Sequence, residues 1–302
     1  MDRLTAALGG ISGILVTPFD RAGALAPGRL APIVDRAVAA GVHILVANGN
    51  TGEFYSLTTD EAVAMVEAAA GLVAGRAPLL CGIGRALPDA ERLARAARAA
   101  GVDGLMIHQP PDPFAAPRGV ADYVRRVGEA GDGLPLVLYL RNDAMGTRAI
   151  ADLCAVEGVV AVKWATPNPM RMAEAAAAAD PRIVWVAGLA ETWAPVLYAA
   201  GARGFTSGLI NVWPERSMAI HTALAAGDTE AARALIASMS AFEEIRAEEL
   251  AGTNVTAVKA ALALQGLDCG AARPPSAWPL TEKQARRLRA FMETSGLLKA
   301  AA

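Results

Sequence analysis

Cysteine is scarce in this chain: Cys81, Cys154 and Cys269 stand far apart among 302 residues, odd in number and outside any CxxC or His-Cys cluster. That spacing argues against a disulfide framework or a sulfur-ligated metal, and leaves three small buried hydrophobes. Histidine is equally sparse, and His43, His108 and His221 lack ligand spacing, so neither a metal nor another cofactor is expected. An excess of charge is missing too. Lys+Arg number 28 against 30 Asp+Glu, for a formal net charge of −2. The arginines lie scattered among acids along apparent helices, which leaves no basic face for nucleic acid. No apolar run, not even the alanine-rich stretch 173–179, approaches the roughly 20 residues that span a bilayer. Asp2 and Arg3 followed by "ALGGISGILV" offer no convincing signal-peptide core or cleavage site before the first strand-like segment. The expectation is a cytoplasmic protein with no membrane or nucleic-acid partner.

What is present is a large apolar content, 54%, enough for one α/β barrel or two ordinary domains. Short β-rich runs alternate with segments of helical period: 13–19, 44–49, 79–84, 104–109, 136–140, 159–165, 183–189 and 204–209 read as strands. Helical segments follow each of them, the last near 214–226. "AAGVHI", "AAGVDG" and "AAGARG" repeat one spelling, with Gly41, Gly101 and Gly201 placed to close a helix in the left-handed conformation. "SLTTDEA" offers Thr58 or Thr59 as a helix cap ahead of Glu61. Strands apolar on both faces and covered by helices favour a parallel sheet. The economical closure is a (β/α)8 TIM barrel over residues 1–226, with a three-helix C-terminal extension over 227–302 (helices near 228–250, 254–265 and 281–295) packed on it. An open doubly wound sheet is the minor alternative, because no GxGxxG follows the first strand.

Lysine is rare as well: only Lys163, Lys259, Lys283 and Lys299 occur. The last three fall in the helical C-terminal region, where solvated faces are the expectation. Lys163 instead ends the apolar run "VVAVKWA". Residues at the C-terminal ends of barrel strands line the active-site mouth. Burial there favours the neutral amine, the form that attacks a carbonyl. Tyr139 ends the preceding strand candidate, so its phenol should lie across the ladder from Lys163 and can shuttle protons. The ordinary alternative is a lysine that snorkels to solvent beside a packed aromatic. "ANGNTGEFYSLTTDEA", after the second strand, has glycines that let backbone N–H groups cradle a carboxylate, with Thr51 adding a hydroxyl. Glu53 reads as structural. Parity puts Trp164 outside the barrel.

At these residues the sequence resembles the dihydrodipicolinate synthase and N-acetylneuraminate lyase family of Schiff-base-forming lyases. The matching pieces are "GILVTPFD", "GNTGEFYSLTTDEA", "PLVLYLRN", "VVAVKWA", "GARGFTSGLINVWPE", "AAGDTEAAR" and "NVTAVKAALALQGL", in order over nearly the whole chain. The resemblance implies a barrel with three extra C-terminal helices, a homo-oligomer (tetramer or dimer), and pyruvate or another 2-keto acid bound to lysine. By position, Lys163 would form the imine and Tyr139 relay protons. Thr51 and neighbouring amides would hold the carboxylate. Gly188 and Ser207 would face the keto acid, and Asn50, Gly52 and Arg141 complete the expected binding set. Three departures argue against the lysine-biosynthetic condensation. Asn50 replaces the first threonine of the family's GTTGE element, "HQPPDPFAAP" has no tyrosine, and Arg141 lies only two residues after Tyr139. "YLRNDA" and "GNTGEF" are closer to the sugar-acid branch, that of 5-dehydro-4-deoxyglucarate dehydratase, although Trp164 replaces that branch's Asp after the lysine. A catalytically silent barrel that binds a keto acid or sugar acid is the alternative of another class; a phosphate-binding isomerase ranks last, for want of a glycine-rich anion loop after strands seven and eight.

Overall fold

The computed structural model describes residues 3–298; Asp2 and Lys299 lie outside them. A short helix, α1 (Arg3–Ala7), precedes β1 (Ile11–Ile14). There follow α2 (Ala31–Ala39), β2 (Ile44–Ala47), α3 (Thr59–Val73), β3 (Leu79–Ile83), α4 (Leu87–Ala100), β4 (Gly104–His108), α5 (Pro117–Ala130) and β5 (Leu136–Leu140). The alternation continues through α6 (Gly146–Cys154), β6 (Val159–Trp164), α7 (Pro169–Ala178), β7 (Val184–Ala187), α8 (Ala190–Ala199), β8 (Gly204–Ser207) and α9 (Pro214–Ala225). Each strand pairs in parallel with the next, and β8 pairs with β1, so the sheet closes as a TIM barrel.

The two faces of each strand have separate tasks. In β5 and β6, Leu138, Leu140, Val162 and Trp164 point outward into the layer shared with the helices. Val137, Tyr139 and Ala161 point into the barrel interior with Val46, Leu80 and Met106. A period of two on a strand buried on both sides produces this division. Thr58 caps α3 in a capping box with Glu61, a device worth about 1 kcal/mol. Gly41, Gly101 and Gly201 have φ of +82°, +77° and +115°, as their places after helices require.

Several boundaries differ from the sequence reading. The first strand spans Ile11–Ile14 rather than 13–19. Pro18 has no N–H for a ladder, and beyond Leu15, whose N–H still donates to the Val46 carbonyl (3.0 Å), the chain is held by non-ladder bonds, Val16 N donating to Asn211 Oδ1 (3.1 Å) and Thr17 Oγ1 to the Gly52 carbonyl (2.6 Å). The N-terminal lead-in forms α1, whose Leu4 joins Leu8 in the interior cluster. The segment read as one helix over 228–250 is two, α10 (Thr229–Ala237) and α11 (Ser240–Ala247), followed by α12 (Asn254–Leu264) and α13 (Glu282–Thr294). At the break the Ser238 hydroxyl donates back to the Leu235 carbonyl (2.6 Å), and Met239 is fully buried; a serine bonded to its own backbone weakens helix continuation. Phe242 and Ile245 of α11 and Leu288, Phe291 and Met292 of α13 belong to the same apolar cluster as the barrel's outer face, so these helices are packed onto it.

Candidate active site

The barrel mouth is built from strand ends and two loops. Lys163 and Tyr139 are register partners on β6 and β5. Both side chains point inward; the lysine is 4% exposed. Its Nζ stands 3.8 Å from the centroid of the Tyr139 ring and 4.0 Å from Met106 Sδ, with no carboxylate in contact among the described residues. Burial, reinforced by the positive charge of Arg141, lowers its pKa from 10.5 to about 7. Burial acts oppositely on the Tyr139 phenol, pushing it up to about 12. The pair therefore joins an amine that is partly neutral near pH 7 to a phenol that keeps its proton.

The loop after β2 supplies the next wall. Asn50 Nδ2 donates to the Tyr139 oxygen at 2.8 Å, and Thr51 is buried at the cavity edge. Gly52 lets this loop sit close: a Cβ there would stand 2.9 Å from the Leu15 carbonyl oxygen. Glu53 has φ +57° and anchors the loop from below. It pairs with Lys259 of α12 in a bridge both of whose side chains are essentially sealed from solvent, and accepts from Arg273 N at 2.7 Å. Lys259, expected on a solvated face, is thus buried. Glu53 offers the opposite charge and the Ala271 carbonyl (3.1 Å) a further acceptor, which offsets the cost of desolvating its ammonium.

A cavity of about 590 Å³ connects these groups. Lys163, Tyr139, Asn50, Thr51, Arg141, Gly188, Thr206 and Gly208 line it together with Glu243, Arg246 and Asn254 from the C-terminal helices. Two expected residues are not on this wall. Gly52 lies behind Thr51 and contributes by packing. Ser207 shares the outward parity of Phe205, and its hydroxyl is engaged behind the barrel with Glu191 Oε1 (2.5 Å) and Ser217 (3.0 Å); Thr206 takes the inward place. Trp164 is fully buried outside the barrel, 6.0 Å from Trp185, as its parity predicts.

Two contributions escape the sequence reading. His108, at the end of β4, is 1% exposed and packs edge-on against Tyr139 at 5.0 Å. Its Nε2 faces the Asn48 carbonyl (3.2 Å), which assigns the proton to Nε2 and makes Nδ1 the acceptor for the Tyr55 hydroxyl (3.3 Å). Burial, then repulsion from Lys163, pushes its pKa down to about 3, so it stays neutral. The second is Arg246, whose helix lies roughly 80 residues after β6 and gave no local signal. Among the described residues no three His, Cys, Asp or Glu side chains gather as metal ligands, and no helix is long and apolar enough to cross a membrane.

Comparison with known proteins matches the model of the dihydrodipicolinate synthetase family to residues 7–295. The chain is 36% identical to 4-hydroxy-tetrahydrodipicolinate synthase 1 of Streptomyces coelicolor, over 92% of each chain. It is 33% identical to a protein of the same organism named "Probable 5-dehydro-4-deoxyglucarate dehydratase 1", over 88% of this chain and 86% of that one. The crystal structure of dihydrodipicolinate synthase from Bacillus clausii superposes with a TM-score of 0.92 at 34% identity, covering 97% of this chain and 99% of the other.

Proposed function

Because the chain belongs to the dihydrodipicolinate synthetase family, whose members are lyases of the class I aldolase type, we propose that it captures pyruvate or a related 2-keto acid, sugar acids included, as an imine on Lys163. The observation that carries this is the Lys163 amine itself, buried, free of any carboxylate and set over the Tyr139 ring. The neutral amine adds to the keto carbon. The Tyr139 O–H then supplies the proton with which the carbinolamine hydroxyl departs as water. The resulting iminium draws electrons from the adjacent carbon, so a proton, a C–C bond or, after enamine formation, a β-hydroxyl can be released without a metal.

Dehydration of a keto sugar acid, of the 5-dehydro-4-deoxyglucarate kind named for the Streptomyces relative, is the second reading. Asn50 favours it over condensation, since a carboxamide nitrogen at the Tyr139 oxygen replaces the hydroxyl that the condensing enzymes' relay uses. A silent keto-acid binder would give the adduct and no product. The proposal includes assembly as a dimer or tetramer; Phe114, 92% exposed after β4, is apolar surface that such an assembly would cover. Borohydride reduction in the presence of pyruvate, followed by peptide mass mapping, should place one adduct on Lys163. Unmodified Lys163 under saturating keto acids and keto sugar acids would reject the imine reading, and product masses from the same panel separate cleavage, condensation and dehydration.

A further inference from the structure

We propose that Arg246, delivered by the C-terminal helix α11, is a carboxylate-binding residue of this cavity: its one uncommitted nitrogen and the Thr51 hydroxyl hold the carboxylate of the ligand beside Gly208. That the ligand is a keto acid rests on the imine reading of Lys163. That an anion binds at this spot rests on Arg246 alone.

The Arg246 side chain is only 8% exposed, and its guanidinium is held from two sides. Nε donates to Asn254 Oδ1 at 2.9 Å and Nη1 to Glu243 Oε1 at 2.5 Å. Nη2 makes no bond to protein among the described residues. A guanidinium is planar, so fixing Nε and Nη1 fixes where Nη2 points. It points at Gly208. A Cβ built there would lie 2.8 Å from Nη2 and 2.9 Å from Thr51 Oγ1, so both donors converge on one point at the cavity wall. Gly208 has φ −90° and ψ −18°, ordinary right-handed backbone that alanine adopts without strain. The backbone does not demand glycine at 208; the approach of Arg246 and Thr51 does.

The chain also spends conformational energy to hold this arrangement. Glu249, Leu250 and Ala251 have φ of +52°, +59° and +63° in succession, three non-glycine residues in a disfavoured region. This left-handed turn joins α11 to α12 and brings Asn254 back onto Arg246. Glu243 offsets one positive charge at the cavity wall, while Arg141 and the iminium that Lys163 would carry leave room for an anion. A carboxylate bound by Nη2 and Oγ1 would receive two charge-assisted hydrogen bonds, one of them from a cationic donor, and the site would favour 2-keto acids over ketones lacking the acid group.

The test compares pyruvate with hydroxyacetone, a ketone without the carboxylate, in borohydride trapping of the wild-type chain, Arg246→Gln and Gly208→Ala. The half-saturating pyruvate concentration should rise by roughly 10- to 100-fold in both variants, with hydroxyacetone unchanged. An unchanged pyruvate value in folded Arg246→Gln, or an equal loss for both ketones, would overturn the assignment; should Arg246→Gln fail to fold, Gly208→Ala carries the same comparison. Calorimetry with lactate, which has the carboxylate and cannot form an imine, keeps the two readings apart. If the wild type traps no ketone, the imine reading fails, yet weaker lactate binding by Arg246→Gln still supports Arg246. Lactate binding unaffected by that substitution, or absent from the wild type, sinks it.

Discussion

The rate at which Lys163 captures pyruvate should rise with pH through a midpoint near 7 and then level off. An ordinary lysine with pKa 10.5 is ~0.03% neutral at pH 7, whereas one at about 7 is half neutral, so burial and Arg141 together supply roughly a thousandfold more nucleophile. The geometry says which share is adjustable. Burial beneath Met106 and Tyr139 cannot be undone without damaging the interior, but Arg141 is exposed at the mouth and can be exchanged. Arg141→Met should therefore move the midpoint upward by part of that difference and slow capture most below pH 7. The assay is single-turnover trapping with cyanoborohydride between about pH 5 and pH 9, with the Lys163 peptide quantified by mass. A wild-type midpoint near that of a free lysine would refute the claim that the amine is held dry. A midpoint that Arg141→Met leaves unmoved would refute the charge argument.

Tyr139→Phe should keep the fold and lower turnover by ~100- to 10,000-fold, the usual contribution of positioned proton transfer; steady-state kinetics beside an unchanged melting curve checks it. Lys163→Met should stabilise the protein. The folded pKa of about 7 lies below 10.5, so the unfolded chain binds more protons between those values and native stability rises with pH across them. The gain on removing the lysine is then greatest below pH 7, on the order of 5 kcal/mol, and fades towards pH 10.5; denaturant titrations at several pH values would contradict this by showing no pH-dependent gap. Glu53→Gln leaves the Lys259 charge buried without its partner and should cost roughly 3–5 kcal/mol, with Glu53→Gln/Lys259→Met recovering part of it. Asn50→Ala removes one hydrogen bond to the Tyr139 oxygen and should slow turnover by only about 2- to 10-fold; a loss as large as that of Tyr139→Phe would mean that the carboxamide itself handles the proton.

The barrel was legible because each strand is apolar on both faces and several helices are bounded by readable signals, such as Gly101 after α4 or the Thr58 box that opens α3. Lys163 and Tyr139 were legible for a related reason: neighbouring strands in a βα series place their ends side by side, and a period of two assigns the faces. Parity worked for Trp164. Ser207 shares the parity of the outward-facing Phe205 two residues earlier, which places it behind the barrel and not in the cavity. Contacts between distant segments left no periodic trace. The Glu53–Lys259 pair joins the second loop to α12, and Arg246 reaches the cavity through a turn of non-glycine left-handed residues that no sequence rule favours. The break between α10 and α11 lies in a run of good helix formers, where a back-bonded Ser238 and the burial of Met239 decide the outcome.

The groups around Tyr139 restrict where its proton can travel. Asn50 offers an N–H to the phenol oxygen, so the phenol's own hydrogen is directed elsewhere, and a carboxamide nitrogen cannot take that proton up. His108 touches the ring but is closed on both nitrogens, by Asn48 and by Tyr55, and its low pKa keeps it from accepting a charge. The protein side of Tyr139 is thus blocked, and the remaining direction is the cavity that holds Lys163. Proton exchange must run between the phenol, the amine, the ligand and water in the cleft. Such a site suits reactions that return locally the proton they borrow. Imine formation on Lys163 would expel one water as it consumes the phenol's proton, and loss of a proton from the adjacent carbon to give the enamine would restore it to the phenolate, so the borrowed proton returns within the cavity.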